Sequence, residues 1–267
     1  GEITRAIPAA KAIEVFHNFT LIHDDIMDKA PLRRGKETVH KKWNNNIAIL
    51  SGDTLLIEVY NHFLEGEYEN LSQILKVFNQ TAIQVCEGQQ LDMNFETRED
   101  VTIEEYINMI RLKTSILFGS AAYGGALIGG KEIKEANELR QMAIWVGLGF
   151  QIWDDYLDAT APAEILGKPS GSDIRQGKRT LLVIEALNRT SAEERKKLIN
   201  ILDDKNNTDE DVKIAVEIMS NCGALENCRK QALGYLNGAQ KTIMKYPESK
   251  ARKLLEELLK YMVTRGH

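Results

Sequence analysis

Apolar positions recur at helical spacing along nearly the whole chain. From Ala9 to about Asp28, Ile13, Phe16, Phe19, Ile22 and Ile26 follow one another at steps of three and four, which predicts an amphipathic helix. Residues 29–37 carry Pro31, Gly35 and four basic side chains and read as a loop. His40 to Gly66 predicts one or two helices, broken near Ser51-Gly52-Asp53, and Leu71 to Phe95 predicts one long helix. Thr102 followed by Glu105 is a capping-box pattern, opening a helix that runs through Thr114 toward the small-residue stretch Gly119 to Gly130. Glu135 to Asp158 predicts another long helix, and residues 159–178 a loop. The remainder predicts three or four amphipathic helices, such as Lys250–Tyr261. No strand pair is convincing. The expected fold is all-α, a single large helical bundle with one domain spanning residues 1–267.

Composition narrows the function. The chain has 267 residues, 43% hydrophobic and 27% charged, which excludes a disordered or low-complexity protein. Its net charge of −5 argues against a nucleic-acid partner, because phosphate backbones select basic faces. Cys86, Cys222 and Cys228 form no CxxC pair and read as idle thiols in a reducing, cytoplasmic setting. No apolar run reaches the roughly 18–20 residues that span a bilayer, so stable membrane insertion is not expected. There is no signal-peptide pattern, and Gly1-Glu2-Ile3 opens as if within a longer protein.

One pattern carries chemistry. Asp24-Asp25-Ile26-Met27-Asp28 is matched by Asp154-Asp155-Tyr156-Leu157-Asp158, both DDxxD. On a helix, residues i and i+4 share a face, so Asp24 is predicted beside Asp28 and Asp154 beside Asp158. Like charges so placed destabilise a helix, more so at its electronegative C-terminal end, unless a cation resides there. Hard cations prefer carboxylate oxygen, and Mg²⁺ commonly joins one or two carboxylates to substrate phosphates. Arg33, Arg34, Lys168 and Lys178 follow the two motifs and supply phosphate-binding charge. The six motif aspartates alone outweigh the whole net charge of −5. Asp203-Asp204, in a polar stretch, reads instead as a solvated helix end. With no Walker loop and no GxGxxG, the pattern indicates a diphosphate rather than a nucleotide.

These residues resemble those of the trans-isoprenyl diphosphate synthases, the polyprenyl synthetase family. The resemblance covers essentially the whole chain. It is carried by His17 through Asp28, Leu32-Arg33-Arg34-Gly35, Gly88-Gln89-Gln90-Leu91-Asp92, Lys113-Thr114, Gly149 through Asp158, Gly167 through Asp173 and Gly177-Lys178-Arg179-Thr180. It implies an isoprenoid-synthase bundle around a central cavity and a head-to-tail prenyl transfer. An allylic diphosphate (dimethylallyl, geranyl or farnesyl) ionises, isopentenyl diphosphate attacks, and a proton is lost. It implies about three Mg²⁺ ions, with Mn²⁺ as an alternative, and a homodimer. Asp24, Asp28 and Asp154 would be direct metal ligands. Asp25, Asp155 and Asp158 would complete the clusters, some through water. Arg33, Lys113 and Lys168 would bind the allylic diphosphate, with Gln89 and Asp92 lining the metal side. His17 and Arg34 would face the diphosphate of isopentenyl diphosphate. Lys113, Thr114 and Gln151 would stabilise the developing allylic cation, and Lys178 would help close the loop after the second motif. His23 is expected to be structural.

Product length in the family follows an apolar tunnel beside the first motif. Here Thr20, Phe19 and Phe16 stand four, five and eight residues before Asp24, and no residues are inserted in the motif. That pattern resembles a short-chain synthase stopping at C20, with C15 second. One departure is that no Gly-Lys-x-x-Arg segment for isopentenyl diphosphate precedes His17, so one or two N-terminal helices are expected to be missing. Two alternatives are a non-catalytic partner subunit of a hetero-oligomeric synthase and a class I terpene cyclase. Intact aspartates in both motifs disfavour each.

Overall fold

The computed structural model describes residues 2–96, 98–162 and 170–264. Their order is α1 (Ile3–Met27), β1 (Leu32–Arg33), β2 (Lys36–Glu37), α2 (Val39–Lys42), α3 (Asn45–Leu64), α4 (Leu71–Phe95), α5 (Ile103–Ile110), a π-helical turn (Arg111–Ser115), α6 (Ile116–Ile128) and α7 (Ile133–Thr160). Then follow α8 (Ser172–Arg175), α9 (Leu181–Arg189), α10 (Ala192–Asp203), α11 (Asp209–Asn221), α12 (Ala224–Ile243) and α13 (Lys250–Thr264). The all-α expectation holds. The C-terminal part has more helices than anticipated, because capping boxes at Ser191/Glu194 and Thr208/Asp211 start new ones within a few residues of the last. The box read at Thr102/Glu105 is also present. No helix among the described residues is long and apolar enough to cross a membrane.

Two compact units emerge, Gly1–Ala82 with Gly119–Arg140, and Ile83–Phe118 with Gln141–His267. In the first, α1 packs along α3. The chain does not break at Ser51-Gly52-Asp53, contrary to the sequence reading. A Cβ at Gly52 would lie 2.2 Å from His23 Nε2, so Gly52 is the seat of a side chain from α1. That packing offsets the cost of about 1 kcal/mol that glycine carries inside a helix. His23 also reaches Ile49 O at 3.2 Å and meets the Phe19 ring at 4.7 Å, a structural role as anticipated. Residues 29–37, read as loop, contain a two-residue antiparallel pair, Leu32 with Glu37 and Arg33 with Lys36. Arg34 and Gly35 turn it, with φ of 53° and 75°.

In the second unit the helix expected to run from Thr102 through Thr114 is interrupted by the π-helical turn Arg111–Ser115. The extra residue per turn re-aims its side chains, and such turns are frequent at functional sites. Ser115 Oγ donates to Ile110 O at 3.3 Å within it. Two glycines let neighbouring helices approach this turn. A Cβ on Gly88 would come within 2.3 Å of Lys113 N, and one on Gly147 within 2.5 Å of Ser115 Cα. Both obstacles are backbone. Gly88→Ala is therefore expected to cost about 1–3 kcal/mol by overpacking and to lower turnover as the turn shifts. Thermal melting and initial rates check both effects.

Candidate active site

In the first unit the acidic motif closes α1. Asp28 is its C-cap, with its N–H donating to Asp24 O at 2.8 Å. Asp28 is exposed, Asp24 half-buried and Asp25 buried. The i, i+4 reading thus separates the two outer aspartates from Asp25, which turns inward. Arg33 Nε and an Arg33 terminal nitrogen both donate to Asp25 Oδ1 at 2.8 Å. Burial pushes the Asp25 carboxyl above its ordinary value, opposed by Arg33. Arg33, expected to hold diphosphate, is here drawn to Asp25, while Arg34 occupies the positive-φ position of the turn. His17 is half-buried, and burial holds its imidazole below the usual histidine value; Arg34 and Arg33 act in the same direction, Glu14 against.

The three expected chain-length residues lie on the same helix. Phe16 and Phe19 are buried, with ring centroids 5.5 Å apart. Thr20 is half-buried, and its Oγ1 donates back to His17 O at 2.8 Å. Phe16 meets Phe78 edge-on at 5.1 Å, and Phe78 meets Phe63 at 5.1 Å. Phe63 in turn borders an apolar cavity of about 230 Å³, lined among others by Ala9, Ile13, Ile74, Gly124 and Gly125.

In the second unit a pocket of about 200 Å³ gathers residues from α4, α5, the π-turn, α7 and the segment 173–180. It brings together Asp92, Lys113, Thr114, Gln151, Asp154, Asp155 and Lys178, seven residues expected in the site from sequence. Lys113 Nζ donates to Asp92 Oδ2 at 2.6 Å. Thr114 Oγ1 donates to Gln151 Oε1 at 3.1 Å, and Gln151 Nε2 to Asp155 Oδ1 at 3.0 Å. Tyr106 donates its hydroxyl to Asp155 Oδ2. Burial, then the Asp173 charge, pushes Asp155 well up, opposed by its bonds to Tyr106 and Gln151.

The second motif does not present its carboxylates as predicted. Asp154 is exposed, but Asp158 is buried and does not line this pocket. Asp158 Oδ2 accepts from Asp173 N at 2.9 Å, and its carbonyl accepts from Gly171 N at 2.7 Å. A turn that returns its N–H groups to the helix end thus captures this carboxylate. In its place Asp173 lines the pocket, 4.0 Å from Lys178 Nζ. Asp173 and Tyr106 are pocket residues that sequence spacing did not single out. Asp173 lay within a matched stretch, while Tyr106 carried no signal beyond its place on a helix. Asp203, read as solvated, accepts from the buried Arg179 at 2.8 Å. Lys168 lies outside the described residues.

The donors suit a hard cation. Asp92, Asp154 and Asp173 offer only carboxylate oxygen, with no thiol or imidazole in the pocket. Gln89 is buried, and its amide has no hydrogen-bond partner among the described residues, a cost of about 1–3 kcal/mol for each buried group so left. No three His, Cys, Asp or Glu side chains among the described residues already converge as a metal cage. Mg²⁺ needs none, since it keeps several waters and takes one or two carboxylates plus phosphate oxygens.

Comparison with known proteins extends the geometry. The family model described as Polyprenyl synthetase matches residues 1–219. A geranylgeranyl diphosphate synthase of Methanosarcina mazei is 40% identical over 100% of this chain and 81% of its own length. A geranylfarnesyl diphosphate synthase of Natronomonas pharaonis is 36% identical over 100% of this chain and 77% of its own. The crystal structure of a geranylgeranyl pyrophosphate synthetase from Pyrococcus horikoshii superposes with a TM-score of 0.94 at 38% identity, covering 99% of this chain and 81% of that one.

Proposed function

The chain belongs to the polyprenyl synthetase family and is a trans-prenyltransferase, and we propose that it extends an allylic diphosphate with isopentenyl diphosphate to C20. The observation that carries the reading is the pocket in which Asp92, Asp154 and Asp173 face Lys113, Thr114 and Gln151. Acid groups for a metal–diphosphate stand beside neutral dipoles for a cation.

In the reaction the allylic C–O bond breaks and its electron pair leaves with diphosphate. The double bond of isopentenyl diphosphate closes the new C–C bond. A proton then leaves the resulting cation, and the departing diphosphate is a sufficient base. Bound Mg²⁺ supplies Lewis-acid neutralisation of the leaving group. Asp154 in the second unit is read as a metal ligand, and so, by the family resemblance, are Asp24 and Asp28 in the first. In the second unit Lys113 and Lys178 are read as holding the allylic diphosphate, as is Lys168 by the resemblance. In the first unit Arg33 is assigned by the resemblance to the allylic diphosphate, and His17 and Arg34 to that of isopentenyl diphosphate. Thr114 and Gln151 direct oxygen lone pairs at the developing cation, the preorganised stabilisation that typically dominates catalysis. Gln89 lines the metal side. Water must be kept out, or the cation ends as an alcohol. We place Phe19 and Phe16 at the floor of the product channel. Relatives of similar identity carry names for different products, so those side chains rather than overall similarity are taken to set length. A homodimer and a cytoplasmic location complete the proposal.

The test is diphosphate release from farnesyl diphosphate. Release is expected to require both Mg²⁺ and isopentenyl diphosphate and to stop with EDTA. Release without isopentenyl diphosphate would favour a cyclase, and no release a non-catalytic partner subunit.

A further inference from the structure

Asp155 is 5% exposed and Tyr106 3% exposed, yet Asp155 carries hydrogen bonds on both carboxylate oxygens. Tyr106 donates to Oδ2, and Gln151 Nε2 donates to Oδ1 at 3.0 Å. Both donors are neutral side chains of the protein. The two ends of an amide have the same shape, so its partners decide its orientation. An acceptor at Asp155 Oδ1 fixes the Gln151 NH₂ toward the protein interior. Its carbonyl then faces Thr114 and accepts the Thr114 hydroxyl proton at 3.1 Å. Every proton in the chain Thr114, Gln151, Asp155 points toward the buried carboxylate. What Thr114 leaves for the pocket is a hydroxyl oxygen with its lone pairs outward, the negative end of a polarised series.

We propose that Asp155 and Tyr106 are positioning residues: together they lock the Gln151 amide so that Gln151 and Thr114 present oxygen, not hydrogen, to the allylic cation. The inference rests on the reading of the pocket as a prenyltransfer site and deepens it. It also gives the central aspartate of the second motif work different from that of Asp154. Asp154 is exposed at the pocket, while Asp155 is buried with a hydrogen bond on each oxygen.

Asp155→Asn is the sharpest test. Asparagine keeps the Tyr106 bond on its oxygen and offers NH₂ where the second acceptor was. A rotated asparagine would leave the buried Tyr106 hydroxyl proton unpaired, so the oxygen stays on Tyr106, the Gln151 amide flips, and Thr114 turns its proton to the pocket. The expected result is a fall in kcat of about 100-fold, the size of losing one preorganised dipole. KM for both diphosphates and the Mg²⁺ concentration for half-maximal rate are expected to stay within twofold of wild type. Tyr106→Phe retains the ring and is expected to lower kcat about 10-fold with the same unchanged KM and Mg²⁺ dependence, so the proposal stays testable if the first variant does not fold. A tenfold or greater rise in the Mg²⁺ requirement would make Asp155 a metal ligand and overturn the proposal. So would an unchanged kcat in either folded variant. A wild-type protein that fails to condense would remove the underlying reading, a result distinct from an active wild type matched by its variants.

Discussion

Asp154→Ala is expected to lower the condensation rate by about 10³-fold with a change in stability of no more than about 1 kcal/mol. Losing one oriented group at a developing charge typically costs 10²–10³ in rate, and a carboxylate proposed to hold the metal is placed at the upper end of that range. The stability half of the expectation comes from the surroundings. Asp154 is exposed at the pocket rim, so its truncation opens no cavity. Its charge also raises Asp155, as Asp173 does more strongly. Adding Mg²⁺ with inorganic diphosphate should raise the melting temperature of the wild type and much less that of the variant. Steady-state rates with melting curves check both parts; a variant that keeps its rate would exclude Asp154 from the chemistry.

Phe19→Ala is expected to move the product one or more isoprene units beyond that of the wild type. Phe19 is buried on α1, five residues before Asp24, with Phe16 behind it at 5.5 Å. Truncation removes a ring from the place where a growing chain would meet the helix, while Phe16 still limits how far it grows. Beyond lie Phe78, Phe63 and the apolar cavity of about 230 Å³, space that becomes useful only when rings ahead of it are removed. The substitution also deletes core packing, at about 3–5 kcal/mol for a buried phenylalanine. Phe19→Leu, which keeps most of that burial, is therefore the companion variant, with a smaller shift in the same direction. Chromatography of the dephosphorylated products checks this, and an unchanged product spectrum in both folded variants would move the floor elsewhere.

Most of the helices were legible because their apolar positions keep a period close to 3.6 and their starts carry capping residues, as at Thr102. Gly52 misled because its meaning lies in His23, a contact between helices that a local pattern does not contain. The π-turn was hidden for a similar reason: it packs against Gly88 and Gly147, each remote in sequence from Lys113 and Ser115. In the site, residue types were easier to read than orientations. Spacing alone grouped Asp154 with Asp158, but a returning turn binds Asp158 through Asp173 N and brings the Asp173 side chain to the pocket. The family resemblance grouped Asp25 with its neighbours, whereas Arg33 claims it. Hydrogen-bond partners separated by eight or more residues decided each of these cases.

Chain extension to C20 is tested most directly by the product formed from farnesyl diphosphate and labelled isopentenyl diphosphate with Mg²⁺. A labelled C20 diphosphate is expected to accumulate as the final product and to disappear with EDTA. Unlabelled farnesol, a cyclised hydrocarbon, or no labelled chain longer than the primer would contradict it.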